Sequence, residues 1–81
     1  MRVDVLLFAM YRELVGEERV PIELPADACV ADLMVELRAR GGGWSRLPGH
    51  VALAVNRRYA SAEQPLADGD EVALIPPVAG G

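Results

Sequence analysis

With 81 residues, 52% of them apolar, the chain has enough hydrophobic side chains for one small core and too little length for two, which excludes both a disordered linker and a multidomain enzyme. Twelve acids against eight bases leave a net charge of −4, the wrong sign for a nucleic-acid or anionic-membrane partner. A lone cysteine, Cys29, excludes an internal disulfide framework and any multi-cysteine metal site. All eight bases are arginines, so no lysine amine is on offer for Schiff-base chemistry or for receiving an isopeptide bond.

The chain opens directly on an alternating pattern rather than on a basic and then apolar leader, and no apolar run approaches the roughly 20 residues that span a bilayer. The expectation is a soluble, cytoplasmic protein. Over residues 2–10, Val3, Val5 and Leu7 share one parity and Arg2, Asp4, Leu6 and Phe8 the other, which predicts a strand whose first set faces the core. Residues 11–15 leave room for one or two helical turns before Gly16 ends them. Residues 19–24 predict a second strand with Val20, Ile22 and Leu24 in phase, and Pro21, lacking an amide donor, places it at a sheet edge.

After the turn Pro25-Ala26-Asp27-Ala28, the spacing of Val30, Leu33, Met34 and Leu37 predicts a helix over 30–40. Asp32 and Glu36 sit early in it and Arg38 and Arg40 late, as the helix dipole favours. Gly41-Gly42-Gly43 stops the helix and opens a loop carrying Trp44 and Pro48-Gly49. Residues 50–56 predict a third strand, with Val51, Leu53 and Val55 on one face and Ala52 and Ala54 on the other. A turn through Asn56-Arg57-Arg58-Tyr59 leads to a short fourth strand over 59–62, and Asp68-Gly69-Asp70 turns the chain into a last strand over 71–75.

The order β-β-α-β-β predicts an α+β fold: a mixed sheet of four to five strands, one main helix packed on one face, and a protruding C-terminal tail. That is the ubiquitin-like β-grasp, in which the first and last strands lie side by side at the sheet centre. Residues 1–81 are expected to form one domain, with 76–81 as a flexible Gly-Gly tail.

The tail carries the candidate chemistry. Pro76 and Pro77 lack N–H donors and hold φ near about −65°, so sheet pairing cannot pass through them. Residues 76–81 reach roughly 20 Å when extended. Val78 and Ala79 are small and Gly80 and Gly81 have no Cβ, which suits a channel too narrow for most side chains. The chain ends on the α-carboxylate of Gly81. A carboxylate becomes an electrophile once its oxygen is made a leaving group, as in an acyl-adenylate formed with ATP, and a sulfur nucleophile then yields a thiocarboxylate. A frayed terminus explains a Gly-Gly end in an arbitrary chain; a Pro-Pro break directly behind a core strand, with no polar filler, favours a functional one.

The same residues carry a resemblance. The run Pro65-Leu66-Ala67-Asp68-Gly69-Asp70-Glu71-Val72-Ala73, followed by Pro76-Pro77-Val78-Ala79-Gly80-Gly81, resembles the C-terminal signature of the small, sulfur-carrier subunits of molybdopterin synthase. Arg12-Glu13-Leu14-Val15-Gly16 and Ala54-Val55-Asn56 fit that family too, and the similarity spans essentially the whole chain. It implies that an E1-like enzyme spends ATP to adenylate Gly81, that a sulfurtransferase or cysteine desulfurase supplies sulfur, and that the thiocarboxylate converts cyclic pyranopterin monophosphate to molybdopterin. On that reading Gly80 lets the tail enter the large subunit, which supplies the catalytic side chains in a two-plus-two heterotetramer. Pro76, Pro77, Val78 and Ala79 contact the partner along the way. This chain then binds no cofactor or metal of its own. The alternatives are a related carrier for thiamine thiazole, cysteine or tRNA thiolation, and a binding module or protein modifier that never carries sulfur.

Opposite the helix, the sheet presents Leu6, Phe8, Ala52, Ala54, Ala73 and Ile75, a face apolar enough to meet a partner. Phe8, Tyr59 and Ile75 are the candidate anchors, at positions that the resemblance implies for subunit contact; packing of Phe8 and Ile75 beneath loops is the competing account. Other residues read as structural. Cys29 suits a half-buried helix boundary better than a persulfide relay, and His50 a strand end. Trp44 suits a core lid, and Asp68 and Asp70 a turn rather than a metal site. Arg57-Arg58 fits a solvated turn as well as a device that steers an acidic partner or adenylate phosphates.

Overall fold

Alternation of apolar residues along short segments needs a sheet to bury one parity, and the computed structural model, which describes residues 1–77, supplies one. The elements in order are β1 (Arg2–Leu7), α1 (Ala9–Val15), β2 (Arg19–Glu23), α2 (Val30–Ala39), a 3-10 turn (Gly42–Arg46), β3 (Ala52–Val55), β4 (Arg58–Ala60) and β5 (Glu71–Ile75). The five strands lie in the order β2-β1-β5-β3-β4. β1 and β5 run parallel, and the remaining neighbours are antiparallel. The sheet is therefore mixed, its first and last strands adjoin, and Pro21 sits on an edge strand, as its missing amide requires.

One face of the sheet is the core. Val3, Val5, Leu7, Val72 and Leu74 from the central strands are at most 1% exposed, and Val30, Leu33 and Leu37 of α2 are equally sequestered. Full burial of each such side chain contributes roughly 1.5–3 kcal/mol, large against the ~5–15 kcal/mol net stability of a small domain. The helix starts after Cys29, whose amide donates to Asp32 Oδ2 at 2.9 Å. That bond, with a second from the Cys29 thiol, holds the exposed Asp32 carboxyl below the usual carboxylate range. Cys29 is half-buried at the helix boundary, as expected. Trp44, in the 3-10 turn, belongs to the core cluster, and the Arg40 guanidinium lies 5.6 Å from its ring centroid.

Several boundaries differ from the sequence expectation. β1 stops at Leu7 rather than Met10, because the Phe8 carbonyl accepts the amides of Tyr11 (3.0 Å) and Arg12 (3.3 Å) and turns the chain into α1. Met10 is consequently helical, and Tyr11 is buried at 1% exposure. α2 ends at Ala39, one residue short, with Arg40 as its cap. β2 ends at Glu23 rather than Leu24, although Leu24 still exchanges backbone bonds with Met1 at 2.8 and 2.7 Å. β3 is trimmed to Ala52–Val55, leaving His50 exposed just ahead of it. β4 begins at Arg58 and ends at Ala60, earlier than the expected 59–62, because the turn uses only Asn56 and Arg57.

Gly43 is the most closely approached of the described glycines: a Cβ there would run into the Leu14 carbonyl and lie 2.9 Å from the Val15 Cα, where α1 meets the 3-10 turn. Backbone cannot yield as a flexible side chain does. Gly43→Ala is expected to destabilise the protein by roughly 1–3 kcal/mol, visible as a lower thermal midpoint. A midpoint equal to that of the parent would mean the two elements are not held at this separation.

Candidate functional site

The pleat sends alternate residues away from α2, and the register lines them up in a row across all five strands. Arg19 of β2 faces Leu6 of β1, Leu6 faces Ala73 of β5, Ala73 faces Ala54 of β3, and Ala54 faces Tyr59 of β4. Toward the end of β5 the next pair is Ile75 with Ala52, and Phe8 follows directly on β1. In the opposite direction Pro21 of β2 faces Asp4 and Asp4 faces Glu71, a row that carries two acids. The outer face is thus apolar at the end where β5 leaves the sheet and polar at the other.

Two acids side by side would repel. Arg19 answers both, with Nη2 at 2.8 Å from Asp4 Oδ2 and 3.3 Å from Glu71 Oε2. Those hydrogen bonds, Asp4's first, hold the guanidinium pKa above its ordinary value. In the apolar part, Leu6, Ala73 and Ile75 are half-buried and Ala54 is buried, whereas Phe8 is 48% and Tyr59 78% exposed. Aromatic rings left this open beside an apolar floor make a surface suited to a partner.

The floor dips into two adjoining hollows. One, of about 420 Å³, is lined by Leu6, Phe8, Ala54, Arg57, Tyr59, Glu71, Ala73 and Ile75. The other, of about 350 Å³, lies between Tyr11, Pro48, His50, Ala52, Tyr59, Ile75, Pro76 and Pro77. Tyr59 and Ile75 line both, so the structure brings Phe8, Tyr59, Ile75, Pro76 and Pro77 onto one continuous surface. Among the described residues no loop roofs Phe8 or Ile75. β5 ends at Ile75, and Pro76 and Pro77 follow outside the sheet. The remaining expected site residues, Val78, Ala79, Gly80 and Gly81, lie outside the described residues.

Local sequence explains how the anchors are presented. Phe8 is extended (φ −127°, ψ 155°), and Ala9 after it adopts a left-handed φ of 46°, a sharp exit that leaves the ring at the sheet surface. Tyr59 follows a two-residue hairpin turn in which Asn56 (φ 49°) and Arg57 (φ 73°) are both left-handed, the type I′ geometry that matches strand twist. Asn56 also pins this turn to β5: its backbone amide donates to Glu71 O at 2.8 Å, its Nδ2 to Asp70 Oδ1 at 2.9 Å, and its Oδ1 accepts from the Glu71 amide at 3.0 Å. Asp70 Oδ2 accepts the Ala67 amide at 2.8 Å and Asp68 Oδ1 the Arg2 amide at 2.7 Å, so both aspartates serve the turn, as expected.

Three contributors escape a sequence reading. Tyr11 and Pro48 flank the outlet beside Pro76 and Pro77, yet Tyr11 reads as helix and Pro48 as loop. The left-handed Ala9 has no signature, because alanine is not a residue that favours it. Asn56 had one: an asparagine between two strands is a sign of this turn.

A mixed sheet with a parallel central pair, a helix across one face and an outlet at the end of the last strand defines a ubiquitin-like β-grasp protein. The ThiS family model matches residues 5–81, and the chain belongs to that family. The molybdopterin synthase sulfur carrier subunit of Escherichia coli strain K12 is 42% identical over 82 residues, covering 98% of this chain and 99% of that protein. Among solved structures, SAMP1 from Haloferax volcanii matches with a TM-score of 0.87 and 31% identity over 100% of both chains. A chain from the complex of subunits 1 and 2 of molybdopterin-converting factor from Helicobacter pylori matches with a TM-score of 0.74 and 32% identity, again over 100% of both.

Proposed function

We propose that this protein is the sulfur-carrier subunit of a molybdopterin synthase, with the Gly81 carboxyl group as its reactive end. The observation that carries this reading is the end-to-end 42% identity with a sulfur carrier subunit of that enzyme. The arrangement of the outer face supports it. A carrier needs a firm base, an outlet and a surface on which the receiving protein can sit, and the apolar hollows meet β5 where the chain leaves the sheet.

The chemistry follows from the carboxylate. An E1-like enzyme joins it to the α-phosphate of ATP, releasing pyrophosphate, and the acyl-adenylate is then open to attack by sulfur. A cysteine desulfurase or sulfurtransferase provides that sulfur as a persulfide, whose outer sulfur displaces AMP to form an acyl disulfide; a thiol then attacks the donor's inner sulfur, forming a disulfide with it and leaving the thiocarboxylate on Gly81. Gly80 and the small residues Val78 and Ala79 let the end thread into the large subunit, where the sulfur passes to cyclic pyranopterin monophosphate. The chain itself uses no bound cofactor. Phe8, Tyr59 and Ile75 anchor the large subunit, Pro76 and Pro77 stop the sheet from extending into the tail, and the Helicobacter pylori complex of subunits 1 and 2 supports such a pairing. Assembly as two plus two and a cytoplasmic location are part of the same proposal.

One observation favours a second reading. The match to SAMP1, a small archaeal modifier protein, suggests that the same activated carboxyl group is joined to an amine instead of sulfur. With no lysine in its sequence, the chain would then act as a donor and offer no side-chain amine on which further copies could be strung. Incubation with the activating enzyme and ATP, with and without a sulfur source, separates the two: the carrier gains sulfur, the modifier gains a protein.

Phe8→Asp is expected to weaken binding to the large subunit about tenfold or more, with little change in melting temperature because Phe8 is 48% exposed in the free protein. Titration calorimetry reads the affinity; an unchanged value would move the interface elsewhere. One residue appended after Gly81 is expected to abolish sulfur transfer and leave the thermal midpoint intact, since it displaces the reacting group. Full activity in that variant would refute the terminal mechanism.

A further inference from the structure

Three non-glycine residues among those described have left-handed φ, and all three adjoin the outer apolar face: Ala9 follows Phe8, and Asn56 and Arg57 lead to Tyr59. Backbone strain of this kind collects where function constrains a chain. Asn56 is accounted for, because asparagine tolerates the geometry and its side chain ties the hairpin to β5. Arg57 is not. It occupies the second position of a type I′ turn, where glycine is the residue without a Cβ penalty.

The fold draws no visible return from the arginine side chain. Arg57 is exposed, and among the described residues it takes part in no ion pair and no side-chain hydrogen bond. Three arginines have structural employment: Arg19 bridges Asp4 and Glu71, Arg38 donates to the Leu47 and Pro48 carbonyls, and Arg40 lies over Trp44. Arg2, Arg12, Arg46 and Arg58 are without such a partner among the described residues, as Arg57 is, but none of them lines this hollow. Arg57 instead lines the hollow floored by Leu6, Ala54 and Ala73 and rimmed by Phe8 and Tyr59. The nearby acid lining that hollow, Glu71, is already engaged by Arg19.

We propose that Arg57 is a specificity-determining residue of the docking face: an uncommitted cation, held in a strained turn, that selects a partner presenting a carboxylate beside its apolar contact. The inference rests on the docking reading given above and adds to it the charge of the matching surface. Because the chain is acidic overall, at −4, its long-range field favours a basic approach. A local cation on the apolar face therefore discriminates among partners and orientations that the net charge would admit alike. The planar guanidinium fits this task, since it meets a carboxylate through two parallel N–H bonds.

The test measures association of the purified protein with its large synthase subunit across salt concentrations, for Arg57→Gly, Arg57→Lys and Arg57→Glu, with Phe8→Asp as a control. Arg57→Gly is expected to melt roughly 4 °C higher as the strain is relieved, yet to bind more slowly and with a weaker dependence on salt. Arg57→Glu is expected to lower the association rate constant about tenfold, and Arg57→Lys to retain most of it. If Phe8→Asp weakens binding while Arg57→Glu binds as the parent does, the proposal is overturned and the docking face stands. If Phe8→Asp also binds normally, the docking reading fails and takes the proposal with it. An Arg57→Gly protein that melts no higher than the parent would overturn the proposal as well, because the arginine would then be held without strain.

Discussion

The parallel pairing of β1 with β5 joins the two ends of the described chain, and the rest of the structure is arranged around it. The register runs from Asp4 opposite Glu71 to Leu7 opposite Leu74, with the Asp4 amide donating to Asp70 O at 2.9 Å just before it. Parallel neighbours cannot be joined by a tight turn, so the long intervening chain must cross over and return. In crossing it supplies α2, which covers the inner face, and β3, which closes on the far side of β5. Closing so long a loop costs entropy that grows only slowly with length, and the buried contacts of Val3, Val5, Leu7, Val72 and Leu74 offset it. β5 is consequently held on both sides as far as Leu74 and on the β3 side to Ile75, which still faces Ala52. The chain beyond begins from a fixed point.

This pairing divides the molecule into a face that stabilises and a face that is left available. The inner face carries the large apolar side chains and the helix. Among the described residues no helix lies over the outer face, and its parts are sorted along the strands, with the Arg19, Asp4 and Glu71 cluster at one end and Phe8, Tyr59 and Ile75 at the other. Left-handed backbone at Ala9, Asn56 and Arg57 is tolerated because the inner core supplies enough stability to hold it. A protein whose reactive group is the end of its own chain requires no acid–base pair in its fold; it requires a rigid base, a narrow end and a surface for the protein that performs the chemistry.

The strands and α2 were legible in the sequence because their patterns are local. Val3, Val5 and Leu7, or Val30, Leu33 and Leu37, announce a buried side whatever they pack against. Pro21 announced an edge by the same reasoning, and the candidate anchors Phe8, Tyr59 and Ile75 did fall on one surface. Other features depended on backbone conformations that carry no pattern of their own, or on distant parts of the chain. Residues 8–10 continue an apolar run that fits a strand; only the capture of the Tyr11 and Arg12 amides by the Phe8 carbonyl ends β1 early. The Gly41-Gly42-Gly43 run read simply as a helix stop, whereas Gly43 is required by the approach of Leu14 and Val15 from α1. The expectation for Arg57 was open between a solvated turn and a steering device, and its φ of 73° beside the hollow is the kind of fact a sequence cannot carry.

The account stands or falls on what Gly81 carries. Intact-mass analysis of the protein, isolated without reductive or hydrolytic loss after exposure to its activating enzyme, ATP and a sulfur source, measures this directly. The account predicts a species in which one oxygen has been replaced by sulfur, with fragmentation placing the change at Gly81. A protein that keeps both carboxylate oxygens under those conditions, while the enzyme demonstrably consumes ATP on it, would contradict the account.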